Sequence, residues 1–148
     1  MAVQRFSHLG LCVSDVERSR RFYCEGLGFR EASRLEVKGE PSDTLLELEG
    51  VELEAVYLLR DGFCLELLHY RAPLAVGEAA PRAMNALGLT HLSFRVADLD
   101  ATARRLASLG ARVLEHTRID NPGLGALAVF LVDPDGARIE LVESGEGS

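Results

Sequence analysis

Apolar positions along this chain follow two periods in turn, and the order in which they do so occurs twice. Over residues 6–13 apolar and other side chains alternate loosely, the period-2 pattern of a strand. Ser14 and Asp15 follow as N-cap residues, and Val16, Ser19, Phe22 and Tyr23 then fall at helical spacing, with a stop expected near Gly26. Three strands are predicted next, over 29–37, 52–59 and 62–70, with Asp61-Gly62 supplying positive φ for a tight turn between the last two. Residues 44–48 read as the first half of a bent strand that Gly50 breaks before 52–59. The second pass begins with a strand over 91–96 and a cap at Asp98. Leu99, Ala103, Leu106 and Leu109 form a helical apolar face that ends at Gly110. Strands over 111–119, 125–132 and 137–143 complete it, the last two joined by the turn Asp133-Pro-Asp-Gly136.

The two passes align residue by residue. His8-Leu-Gly-Leu-Cys-Val-Ser-Asp15 lies over His91-Leu-Ser-Phe-Arg-Val-Ala-Asp98, 83 positions later. Leu65-Glu66-Leu67-Leu68 lies over Ile139-Glu140-Leu141-Val142, 74 positions later, so the first copy carries nine extra residues between its matched ends. An internal repeat of this kind fixes the architecture before any single element does. The prediction is an α+β fold of two tandem βαβββ modules, forming a curved mixed-sheet cup with helices on the outside. Module 1 spans about 4–70, a linker about 71–89 (with a short helix offered at 80–86) and module 2 about 90–144, all within one domain. The tail 145–148 is expected to be disordered.

Strand alternation turns the repeat into chemistry. His8 shares a face with Gly10 and Cys12, and His91 with Ser93 and Arg95, while the leucines, phenylalanine and valines between them face the other way. Glu66 and Glu140 sit in the middle of apolar closing strands, where an unpaired buried carboxylate is costly. Any one of these residues alone is an ordinary histidine or strand glutamate. All four, repeated, point to a shared divalent cation on the inner face, held by His8, Glu66, His91 and Glu140. Two imidazoles and two carboxylates suit Zn, Ni, Co, Mn or Fe. His69 faces away from Glu66, and His116 is placed in a turn-rich charged segment; neither is expected to be a ligand. Asn121-Pro-Gly-Leu-Gly125 reads equally as a connector or as a lid over the metal.

Composition narrows the partners. The 148 residues are 47% apolar and 26% charged with a net charge of −7, and no basic patch occurs, so nucleic acid and anionic membranes are not expected partners. No apolar run reaches the roughly 18 residues of a membrane span, and MAVQRFSHLG lacks the charged and apolar regions of a signal peptide. Three cysteines without a CxxC pair suit a reducing, cytoplasmic compartment. Phosphate-loop, HExxH and GxSxG motifs are absent from the sequence.

The opening of the first copy, with Arg21-Phe-Tyr and Gly26-Leu-Gly-Phe29, resembles modules of the vicinal-oxygen-chelate superfamily. So do Thr90-His-Leu-Ser-Phe and Phe130-Leu-Val-Asp-Pro-Asp-Gly in the second. This superfamily includes glyoxalase I, methylmalonyl-CoA epimerase, extradiol dioxygenases, fosfomycin-resistance transferases and bleomycin-binding proteins. The resemblance implies metal ligands at His8, Glu66, His91 and Glu140, as in glyoxalase I and the epimerases. It implies a lyase or isomerase that transfers a proton next to a carbonyl through a metal-stabilised enediolate, with Glu140 or Glu66 as the base. Arg95 is expected to bind an anionic small-molecule substrate, and a homodimer is expected, with modules paired within a chain or exchanged. The alternatives are a small-molecule binding or antibiotic-resistance protein and, third, a dioxygenase.

Overall fold

The computed structural model of the chain describes residues 2–121, 123 and 125–145. Pro122 and Leu124 of the 121–125 loop, and the tail from 146 onward, lie outside the described residues. The chain divides into two compact units, Met1–Gly77 and Glu78–Ser148, and each builds one four-stranded mixed sheet.

The first unit runs β1 (Leu9–Cys12), α1 (Val16–Arg21), β2 (Arg30–Lys38), α2 (Ser42–Leu46), β3 (Glu52–Arg60) and β4 (Phe63–Ala72). Its strands lie in the order β1-β4-β3-β2, with β1 parallel to β4 and the other pairs antiparallel. The second runs β5 (Leu92–Val96), α3 (Leu99–Ser108), β6 (Arg112–Asn121), β7 (Ala126–Val132) and β8 (Arg138–Ser144), in the corresponding order β5-β8-β7-β6. This is the α+β architecture of two tandem βαβββ modules. No helix among the described residues is long and apolar enough to cross a membrane.

The capping residues set both helix starts. The Asp15 carboxylate accepts from the Arg18 backbone N–H at 3.0 Å, and Asp98 from that of Ala101 at 2.8 Å. The first helix runs past the expected stop. Beyond Arg21 it widens into a π-turn over Phe22–Gly26, which lets the consecutive residues Phe22 and Tyr23 both sit fully buried. Their rings meet edge to face at 5.1 Å, and Tyr23 meets Phe29 likewise at 5.9 Å. The chain reverses only at Gly28 (φ 75°), where a Cβ would stand 2.6 Å from a guanidinium nitrogen of Arg60.

Alternation along the closing strands decides what is core. Leu65 and Leu67 of β4 and Ile139 and Leu141 of β8 are fully buried on the helix side, with Val13 and Leu58 in the first unit and Leu99, Leu106 and Leu131 in the second. Each such side chain contributes about 1.5–3 kcal/mol on burial. The intervening glutamates, Glu66 and Glu140, therefore point to the opposite face.

Three local expectations are corrected. Residues 44–48 are not a strand: Ser42–Leu46 is the short helix α2. Glu40 accepts from the Thr44 backbone and hydroxyl, and Asp43 accepts from Gly50 and Val51, so local polar bonds override the strand propensity of Thr-Leu-Leu. Residues 80–86 form turns and bends rather than a helix. His116 lies within β6, where pairing with β7 is interrupted between Leu114 and Ile119.

Candidate metal centre

Each unit sets a histidine immediately before its first strand and a glutamate in the middle of its last. Because β1 runs parallel to β4, Gly10 pairs with Glu66; because β5 runs parallel to β8, Ser93 pairs with Glu140. His8 and His91 stand two residues earlier on the same faces. In the first unit His8 Nε2 lies 3.6 Å from Glu66 Oε2. In the second His91 Nε2 lies 3.7 Å from Glu140 Oε2.

The surroundings of the two pairs also match. The Nδ1 atom of each imidazole is 2.8 Å from the hydroxyl of the preceding residue, Ser7 for His8 and Thr90 for His91. An aromatic ring meets each imidazole edge-on, Tyr57 at 5.7 Å and Phe130 at 5.3 Å. Both rings come from the strand neighbour of the glutamate, since Tyr57 pairs with Glu66 and Phe130 with Glu140.

The carboxylates are held differently. The Tyr57 hydroxyl bonds to Glu66; that bond, then burial, then the carboxylate's charge push the phenol up to about 12. Phe130 has no hydroxyl, and Glu140 instead accepts from the Ser93 hydroxyl at 2.7 Å. The Glu66 side chain is 12% exposed and that of Glu140 29%. A Cβ added at Gly10 would come within 3.8 Å of Glu66 Oε1 and 3.2 Å of the Leu68 side chain. The glycine thus leaves room where the second unit has a serine.

The donor set fits a divalent cation. The N···O separations of 3.6 and 3.7 Å are shorter than the roughly 4.2 Å sum of two metal–donor bonds. One ion can therefore touch both members of a pair without displacing either. Among the described residues no group of three or more His, Cys, Asp or Glu side chains is placed to hold a metal ion; what each unit makes is a pair.

The remaining candidates separate from these pairs. Arg95 is exposed on the face of His91 and Ser93, and its Nη1 donates to the Ser144 hydroxyl at 2.7 Å. His69 is on the opposite face from Glu66, in register with Glu54, and its Nδ1 is buried without a hydrogen-bond partner among the described residues. Burial pushes the Cys64 thiol up, and the charge of Glu66 adds to it. Asp133 is a turn residue: its Oδ1 accepts from the backbones of Asp135 and Ala137, each at 2.9 Å.

Sequence reasoning missed Tyr57, Phe130, Ser7 and Thr90. Two signals were present. The two-residue turn Asp61-Gly62 pairs Arg60 with Phe63, and counting back along the hairpin brings Tyr57 opposite Glu66. The repeat alignment itself places a hydroxyl residue before each histidine.

The Glyoxalase/Bleomycin resistance protein/Dioxygenase superfamily model matches residues 5–141. The chain belongs to this superfamily. YaeR of Escherichia coli (strain K12) is 30% identical over 143 residues, covering 97% of this chain and 98% of that protein. The crystal structure of a glyoxalase family protein from Bacillus cereus matches with a TM-score of 0.83 at 22% identity, over 98% of this chain and 99% of that one. The fosfomycin resistance protein FosX from Listeria monocytogenes matches with a TM-score of 0.63 at 14% identity, over 97% and 93%. At these identities the two solved structures show a shared fold.

Proposed function

We propose that this protein is a divalent-metal-dependent lyase or isomerase that moves a proton next to a carbonyl of a small-molecule substrate. His8, Glu66, His91 and Glu140 are the ligands of the cation, within one chain or across a homodimer. The observation that carries this reading is the duplicated pair, in which an imidazole Nε2 faces a carboxylate oxygen at 3.6 Å in one module and 3.7 Å in the other. FosX was solved with Mn(II) and 1S,2S-dihydroxypropylphosphonic acid, a small anion with hydroxyls on adjacent carbons. That pairing of a divalent ion with an anionic diol supports the same class of ligand here.

A divalent cation, when bound, supplies Lewis-acid stabilisation of negative charge on a substrate oxygen. The proton is the business of the carboxylates. Glu66 is clamped by the Tyr57 hydroxyl and largely buried, which suits a fixed ligand. Glu140 is more open and is held only by a small serine, which suits a base that must reach a substrate carbon and return the proton. Arg95, about 13 Å along the strand from His91, holds a carboxylate or phosphate at the substrate's far end with its planar fork.

The test is Glu140→Gln, assayed with hemithioacetals, acyl-CoA epimers and catechols. Turnover by a general base should fall by about 10²–10⁴-fold. Undiminished turnover in this variant would transfer the role to Glu66 or remove the mechanism. Activity confined to catechols would make the protein a dioxygenase, and binding without turnover would make it a binder.

A further inference from the structure

We propose that the hydroxyls of Ser7 and Thr90 are positioning groups that let His8 and His91 exchange tautomers as a cation enters and leaves; this rests on the metal reading above. A neutral imidazole carries one N–H and one lone pair on its two nitrogens. To bind a cation through Nε2 the hydrogen must sit on Nδ1, and Nδ1–H then needs an acceptor. Without the cation, Nε2 faces a carboxylate oxygen at 3.6 or 3.7 Å. The negative charge there favours hydrogen on Nε2, which makes Nδ1 an acceptor in need of a donor.

A hydroxyl meets both demands by rotating about its C–O bond. A backbone carbonyl or carboxylate, the usual partner behind a metal-bound histidine, can only accept. Both modules place a hydroxyl at the same 2.8 Å from Nδ1, although Phe6-Ser7-His8 and Leu89-Thr90-His91 share only the hydroxyl and the histidine. The rings beside the imidazoles, Tyr57 and Phe130, meet them edge-on at 5.7 and 5.3 Å between centroids. Ser7 and Thr90 are both exposed, so their replacement leaves the core intact.

The experiment compares the wild-type chain, Ser7→Ala/Thr90→Val, and the hydroxyl-preserving swap Ser7→Thr/Thr90→Ser. Affinities for Zn(II) and Mn(II) are measured by calorimetry, and imidazole ¹⁵N spectra are recorded with and without Zn(II). Loss of the outer partner should weaken binding by about 10–100-fold, and the swap should restore it. The spectra of the wild type should show hydrogen on Nε2 when metal-free and on Nδ1 when loaded. Binding by the Ala/Val variant equal to wild type, or an unchanged tautomer on loading, would overturn the proposal alone. A wild type that binds neither ion would overturn the metal reading and this inference with it.

Discussion

Tyr57 is the sharpest difference between the two pairs, since Phe130 holds the equivalent place without a hydroxyl. Tyr57→Phe makes the first module like the second and removes the donor from a carboxylate whose side chain is 12% exposed. In the metal-free protein this should cost about 1–3 kcal/mol. The pH dependence has a definite sign. An unfolded tyrosine titrates near 10, whereas the folded phenol is pushed up to about 12. The contribution is therefore full below about pH 10 and lost as pH rises towards 12. Denaturation midpoints of the wild type should fall more steeply across that window than those of Tyr57→Phe, and tyrosinate absorbance should lose its latest-titrating component in the variant. Parallel pH curves would show that the bond to Glu66 contributes nothing. At the other module, Arg95→Met should raise KM for an anionic substrate with little change in melting temperature or metal content. A large loss of stability with substrate preference unchanged would make the contact with Ser144 structural, and the inference of an anionic substrate would go with it. The histidines and glutamates were legible because each interrupts an apolar pattern at a repeated place. Their partners were harder to read. Serine, threonine and tyrosine are unremarkable by type, and only strand pairing shows what they touch.

At the scale of elements, strands were legible almost to the residue, and the insertion was not. Between β2 and β3 the chain takes thirteen residues, 39–51, and between β6 and β7 only four, 122–125. That difference accounts for all nine extra residues of the first copy. Strand propensity misled over 44–48 because propensity counts side chains one at a time, whereas α2 is held by two carboxylates acting across the loop. The Asp43 carboxylate accepts from Gly50 at 3.0 Å and from Val51 at 2.8 Å, and Val51 is fully buried. Asp43→Ala should therefore destabilise the protein by about 1–2 kcal/mol, read as a lower urea midpoint at unchanged slope. Stability equal to the wild type would mean that the loop is closed by other contacts. The π-turn was invisible for a related reason. It answers the need to bury Phe22 and Tyr23 together, a tertiary demand that helical spacing alone does not reveal.

At the scale of the whole molecule, the account rests on duplication. Two βαβββ modules repeat the same strand order, the same capping aspartates and the same imidazole–carboxylate geometry, down to the hydroxyl behind each ring. The superfamily was legible because apolar periodicity and the His and Glu positions recur together. Reaction and substrate depend on side chains that differ between the copies, such as Gly10 against Ser93, Cys12 against Arg95 and Tyr57 against Phe130. The most direct test of the central claim is the divalent-metal content of the purified protein, wild type beside His8→Ala/Glu140→Ala, which removes one ligand from each module. The wild type should hold about one ion per complete site and release it on acidification, because the imidazoles must be neutral to bind; the double variant should hold none while keeping its fold. A double variant with the metal content of the wild type would contradict the assignment of His8, Glu66, His91 and Glu140 as the metal centre.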